Sequence, residues 1–310
     1  MSSHTATPLL GQSPEDSRRR FAVWSAGAIC IATVLVFAPI LRYMVAHWDA
    51  DANYSHGFIV APLAVYFAFE RRRKLKRTPI DPSWWGLIPL LLGLLALFVG
   101  RMGVELMAMR TAFVLTLHGV VLLLLGMPVY RVLFFPLCFL FLMIPLPQSL
   151  VNVIALPLQL IAADMAVSTL QAFGLPLLRE GNIIWLPETQ LFVAEACSGL
   201  RSLMALGTLG VVFAYFFRRS WLERSILVAS TIPIAVAVNA FRVALTAWLT
   251  LNYGREAAEG VIHTTEGFFT FGLAFGLLLL ESRILSALLE ARARRAAARE
   301  SANESKGAPT

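Results

Sequence analysis

What most constrains this chain is the alternation of long apolar runs with short basic stretches. Apolar runs occupy about residues 21–45, 57–69, 84–100, 106–126, 130–146, 150–174, 199–217, 225–250 and 264–281. A helix that crosses a bilayer needs roughly 20 such residues. Of the 310 residues, 58% are hydrophobic and 15% charged, and the mean hydropathy is +0.70. Soluble domains average about 45–50% apolar and about 25% charged residues. A globule of this size has too little interior to hide the difference. A soluble enzyme is excluded, and so is a disordered chain. The expected fold class is all-α, a polytopic membrane helical bundle.

Charge sets the topology within that bundle. The net charge of +7 in a soluble protein would point to nucleic acid. Here the basic residues gather in the short stretches, the pattern of cytoplasmic loops, so membrane lipid and not nucleic acid is the expected partner. Arg18, Arg19 and Arg20 precede the first run, and Arg71, Arg72, Arg73, Lys74, Lys76 and Arg77 form the densest loop. Arg218, Arg219 and Arg224 mark another loop, and Arg292, Arg294, Arg295 and Arg299 the C-terminal tail. Both termini are then cytoplasmic and the number of spans is even. The run least like a span is 150–174, which carries Asn152, Gln159, Asp164, Ser168 and Gln171 and is interrupted by Pro157. It is expected to lie as an amphipathic helix in the outer interface, leaving about eight transmembrane helices.

Segments 175–197 and 251–263 then face outward. Residues 1–20 read as a disordered cytoplasmic tail, 21–285 as one membrane domain without internal repeat, and 286–310 as a basic cytoplasmic tail. The first run is too long for the core of a signal peptide, and no small-residue cleavage site follows it.

Cys30, Cys138 and Cys197 form neither a disulfide framework nor a zinc pattern. Cys30 and Cys138 sit in apolar runs and read as small hydrophobes. His4, His47, His56 and His118 show no ligand spacing, so neither metal nor cofactor is expected.

Three polar clusters stand out, and ionisable residues near or within spans are functional candidates by default. The first runs from Glu195 through Cys197, Ser198 and Arg201 to Ser202. Ser198 can cap the helix that follows. The helix dipole and Arg201, four residues on, favour a thiolate at Cys197. A cap with a chance cysteine is the bland alternative. The second cluster is Asn239, Arg242 and Thr246, at i, i+3 and i+7 on one helical face. An arginine about two turns inside the outer surface faces protein or a water-filled cavity. It can stabilise an oxyanion or hold a structural carboxylate. The third is His263-Thr264-Thr265-Glu266 at the mouth of the last run. His263 is a candidate general base and Glu266 can orient its ring or favour the helix N-terminus.

Cysteine, arginine and histidine come from three consecutive spans and fall on the same outer side. A thiolate, a base and an oxyanion donor are what acyl transfer through a thioester requires. A non-catalytic membrane component of exopolysaccharide export is the competing reading. A transporter of repeated halves finds no support in the sequence.

These residues resemble the motifs of the exosortase/archaeosortase family of polytopic membrane cysteine transpeptidases. Glu195-Ala-Cys-Ser-Gly-Leu-Arg201-Ser is similar to its nucleophile motif, Asn239-Ala-Phe-Arg242-Val to its arginine motif, and His263 with Glu266-Gly267 to its histidine motif. Ser55-His56-Gly57 and the stretch from Arg179-Glu180-Gly181-Asn182 to Leu186-Pro187 fit its pattern as well. The resemblance spans about residues 50–285. It implies an enzyme of the bacterial inner membrane that recognises exported proteins by a C-terminal sorting signal. Such a signal has a short motif (Pro-Glu-Pro in the bacterial case), one membrane helix and a basic tail. By the same resemblance Cys197 is the nucleophile, Arg242 the oxyanion stabiliser and His263 the acid/base, facing outward. Glu195, Ser198, Arg201, Asn239, Glu266 and His56 are the supporting residues.

Overall fold

A computed structural model describes residues 14–187, 189–193, 199–217, 220–254 and 261–307. The chain forms two compact units, Met1–Pro147 and Gln148–Thr310.

In the first unit, α1 (Pro14–Val36) and α2 (Ala38–Ala50) share the first apolar run. They part at Phe37, and Pro39 lies in the first turn of α2, where its missing N–H is no loss. Helices α3 (Gly57–Glu70), α4 (Arg72–Arg77), α5 (Leu87–Met102) and α6 (Leu106–Phe139) follow. Helix α1 begins ahead of Phe21, so Arg18 to Arg20 belong to a helix rather than to a tail.

Helix α6 is continuous only by count. At Gly126 the backbone turns to φ +81°, ψ 178°. The ring of His118 lies 5.7 Å from that of Tyr130 and 5.7 Å from that of Phe141. An unbroken helix would hold residues 118 and 141 about 34 Å apart. The chain therefore folds back into two antiparallel legs, and the two apolar runs 106–126 and 130–146 are separate passes. Asp81 N–H donates to Leu125 O, and Ser83 N–H to Leu123 O, each at 3.3 Å, pinning the turn. A Cβ at residue 126 would collide with the Asp81 carbonyl, so the turn needs glycine for space as well as for φ.

The two ends of this unit differ chemically. At one, Arg19 Nη2 donates to Leu75 O at 2.7 Å beside the basic α4, and Arg71 Nη1 donates to Val132 O. At the other, Trp48 Nε1 donates to Met143 O at 2.9 Å and the Tyr54 hydroxyl to Leu146 O at 3.3 Å. His56 Nε2 lies 3.1 Å from Leu142 O. Between the ends, the buried Phe67 ring packs on Phe135 and Phe139 at 5.3 and 5.2 Å.

The second unit contains α7 (Gln148–Ala172), β1 (Leu178–Glu180), β2 (Ile183–Trp185), β3 (Gln190–Phe192), α8 (Gly199–Phe217), α9 (Trp221–Tyr253) and α10 (Val261–Gly307). The strands form an antiparallel sheet in the order β1-β2-β3, pairing Arg179 with Ile184 and Ile184 with Leu191. Its apolar face joins a core of Ile184, Leu186 and Val193 with Ala166, Val167 and Leu170 of α7 and Val243 and Ala247 of α9.

The run at 150–174 departs from the expected interfacial helix. Helix α7 lies along α9: Ala155 and Gln159 share a cavity with Ala235 and Asn239, while Ala163 to Leu170 meet Val243 and Ala247. Its buried stripe is rich in small residues, Ala155, Ala162, Ala163 and Ala166, alongside Val151, Val167 and Leu170, and the alanines allow close helix packing. That stripe, not the polar face, decides its placement.

Six helical stretches among the described residues are long and apolar enough to cross a membrane: Arg19–Val36, Trp84–Met102, Leu106–Met143, Gln148–Ala172, Trp221–Tyr253 and Gly267–Arg292. Leu203–Phe216 and the 14-residue α3 are apolar but shorter. The fold is an all-α polytopic membrane bundle, with one small sheet. Helix α10 continues to Gly307 through the segment read as a tail.

Candidate active site

Helix α9 supplies the buried polar face that the i, i+3, i+7 spacing predicts. Asn239, Arg242 and Thr246 are 7%, 7% and 3% exposed. The Thr246 hydroxyl donates to the Arg242 carbonyl at 3.0 Å, and that of Thr250 to the Thr246 carbonyl at 2.8 Å. These hydroxyls thus bond back within the helix.

Residues 194–198, with Glu195, Cys197 and Ser198, lie outside the described residues. Their flanks do not. On the N-terminal side β3 leads into Val193, fully buried against the core that includes Val243. On the C-terminal side α8 opens at Gly199, and its Leu203 lines a cavity with Ala235, Val236 and Asn239. Both ends of the cysteine segment are therefore anchored on the stretch of α9 that carries Asn239 and Arg242. Arg201, in the first turn of α8, is exposed.

The backbone of α10 brings the third motif to the same stretch. The Phe269 and Phe241 rings meet at 6.4 Å, and the Ser230 hydroxyl lies 2.5 Å from a Glu281 carboxylate oxygen. These pairs fix an antiparallel register between α9 and α10. Carried to the start of α10, it sets the backbone of His263 about level with Ala247, roughly one and a half turns from Arg242. His263 and Glu266 occupy the first two turns of that helix.

Polar reach extends from a direction the sequence did not indicate. The cavity beside Asn239 measures about 10 Å³ and is also lined by Gln159 of α7. That is room for one water molecule held between two amides. In the sequence Gln159 shows only as part of a polar helical face, because nothing local signals that α7 pairs with α9.

His56 belongs to the other unit, where it precedes α3 and is buried with its Nε2 held by the Leu142 carbonyl. The geometry there is that of an anchor. Among the described residues, no three His, Cys, Asp or Glu side chains gather as a metal site would require.

No curated protein and no solved structure matched the sequence. The profile of a family described as transmembrane exosortase (Exosortase_EpsH) matches residues 48–280, three quarters of the chain and all three motifs. With an apolar helical bundle and the three motifs carried on adjoining elements, the chain belongs to the transmembrane exosortase family.

Proposed function

We propose that the protein is a cysteine transpeptidase of the bacterial inner membrane. It cleaves a C-terminal sorting signal of exported proteins at the outer face. The observation that carries this reading is the anchoring of both flanks of the Cys197 segment on the α9 stretch bearing buried Arg242. The positive-inside distribution of Arg and Lys supports the orientation, with both termini in the cytoplasm.

In the mechanism, the Cys197 thiolate attacks the scissile carbonyl carbon, and the negative charge moves to the carbonyl oxygen. Arg242 holds that oxyanion. Protonated His263 gives its proton to the departing amine as the C–N bond breaks, leaving a thioester on Cys197. Neutral His263 then takes a proton from an acceptor amine or a water that attacks the thioester. Product leaves and the thiolate returns. Glu266 orients the imidazole, Ser198 caps α8, and Arg201 and the dipole of α8 favour the thiolate. Asn239, three residues before Arg242 on the same face of α9, helps to position it, and Glu195 opens the cysteine motif in sequence. The substrate has a recognition motif, one membrane helix and a basic tail, and its helix docks beside the spans while the motif reaches the outer face.

The test is co-expression with an exported protein ending in a Pro-Glu-Pro motif, a membrane helix and a basic tail. Its size is followed by blot. Processing by the wild type and none by Cys197→Ala or Cys197→Ser, at equal expression, is the expected result. Processing that survives Cys197→Ala would remove the mechanism.

A further inference from the structure

Away from the cysteine motif, an open groove of about 700 Å³ runs along the first unit. Its floor is one helical face that continues across the bend at Phe37, with Leu35 from α1 and Leu41 and Val45 from α2. Its wall is Phe58, in the first turn of α3, whose ring meets that of Trp48 edge-on at 5.4 Å. Gly57 lets α3 come this close, because a Cβ there would strike the Trp48 indole. Two charges line the same groove, Arg42 and Asp49. They lie two turns apart on one face of α2. Both are exposed, and among the described residues neither makes a hydrogen bond or an ion pair. Their depth is what gives them meaning. Arg19, bonded to the Leu75 carbonyl beside the basic α4, marks one end of the unit. From Arg19 to Arg42 the helices rise at most about 34 Å, and the hydrocarbon core of a bilayer is about 30 Å thick. Arg42 therefore sits at the boundary of the hydrocarbon remote from α4, at the level of lipid phosphates. Asp49 stands about 10 Å further out, in the headgroup layer.

We propose that this groove is a binding site for one phosphatidylethanolamine molecule. Its acyl chains lie along Leu35, Leu41 and Val45, its phosphate meets Arg42, and its ammonium donates to the Asp49 carboxylate. The order of charges along the groove is the order along that headgroup, with the anion at the edge of the hydrocarbon and the cation beyond it. The long stem of Arg42 can reach outward over the apolar floor and shorten the gap to Asp49. Phosphatidylglycerol carries the phosphate but no cation, and would leave Asp49 beside an anion. The quaternary ammonium of phosphatidylcholine has no N–H to give, so it forgoes the charge-assisted hydrogen bond. An apolar peptide helix could cover the floor but would answer neither charge. The site uses none of the residues of the cysteine, arginine and histidine motifs, and it stands apart from the transpeptidase reading.

The full-length protein in detergent is titrated with phosphatidylethanolamine, phosphatidylglycerol and phosphatidylcholine of identical acyl chains, and bound lipid is counted by native mass spectrometry. Phosphatidylethanolamine is expected to be retained about tenfold more tightly than either of the others. Asp49→Asn should bring it down to the level of phosphatidylcholine, and Asp49→Lys should put phosphatidylglycerol first. Arg42→Gln should weaken all three. Ala46→Trp, which fills the groove and leaves both charges in place, should remove the selective lipid. The two charge variants change exposed side chains and serve where Ala46→Trp does not fold. Equal retention of the three lipids by the wild type overturns the proposal. So does a preference for phosphatidylethanolamine that survives both Asp49→Asn and Arg42→Gln, since the lipid would then bind elsewhere. A photo-crosslinker placed at Ala46 should capture lipid in the intact membrane. Capture of protein in its place overturns the proposal, because a helix would then fill the groove.

Discussion

The rings of Phe241 and Phe269 meet at 6.4 Å and 45° across α9 and α10, one residue from Arg242. The contact sets the register of the helix that carries His263 against the helix that carries Arg242. Both rings are partly exposed, 44% and 58%, so their removal costs less than a buried aromatic. Phe269→Ala is expected to lower stability by about 1 kcal/mol. It should slow substrate processing more than that loss explains. Melting temperature and initial processing rate, measured on the same preparation, separate the two effects.

Arg242 tests the oxyanion role. Arg242→Gln is expected to reduce the processing rate by about 10²–10³. Arg242→Lys should recover little of it, because a point charge does not reproduce the guanidinium fork. Time-course blots at equal expression give both rates. Full activity in either variant would assign Arg242 to packing alone.

Gly126 tests the reversal in α6. Its φ of +81° and the closeness of the Asp81 carbonyl leave no room for a side chain. Gly126→Ala should destabilise by about 2 kcal/mol or more. Gly27→Ala, in a helix with open space at that point, should be neutral or stabilise by up to about 1 kcal/mol. Thermal melts of the detergent-solubilised variants make the comparison.

The resemblance would have His56 support the active site, whereas its bond to the Leu142 carbonyl indicates an anchor. His56→Ala should lose about 1–2 kcal/mol of stability through the orphaned carbonyl and the lost packing. His56→Gln, which keeps a donor, should recover part of it. If both variants abolish processing while melting as the wild type, His56 acts in the chemistry and the anchor is secondary.

On the surface, Arg179 Nη2 and Asp164 Oδ1 form an ion pair at 3.1 Å between β1 and α7, with the Asp164 side chain 66% exposed. Asp164→Asn should change stability by less than about 1 kcal/mol. A larger shift in the melt would mean that the pair holds the sheet on its helix.

The bundle was legible because hydropathy integrates over 20 residues, and the buried face of α9 because Asn239, Arg242 and Thr246 repeat at helical spacing. The fold-back at Gly126 showed only as a gap between two runs. The three strands did not show at all: three residues each are too few to establish an alternation, and Ile184 and Val193 reveal themselves only through what they bury against. Helix α7 departs from the interfacial place expected of it because Asn152 and Gln159 stand out in the sequence as polar, whereas its alanines set how closely it approaches α9. Gln159 shows in the sequence only as part of a polar face, because its neighbour Asn239 lies far away along the chain.

The fold-back at Gly126 also governs how the chain enters a bilayer. The buried His118 of the first leg has Nδ1 2.8 Å from the hydroxyl of Tyr130 on the second. Delivered alone, the first leg would take a bare imidazole and the Arg110 guanidinium into hydrocarbon. Delivered as a hairpin, it arrives with His118 Nδ1 already matched to the Tyr130 hydroxyl. The two legs are therefore expected to enter the membrane together, as a hairpin.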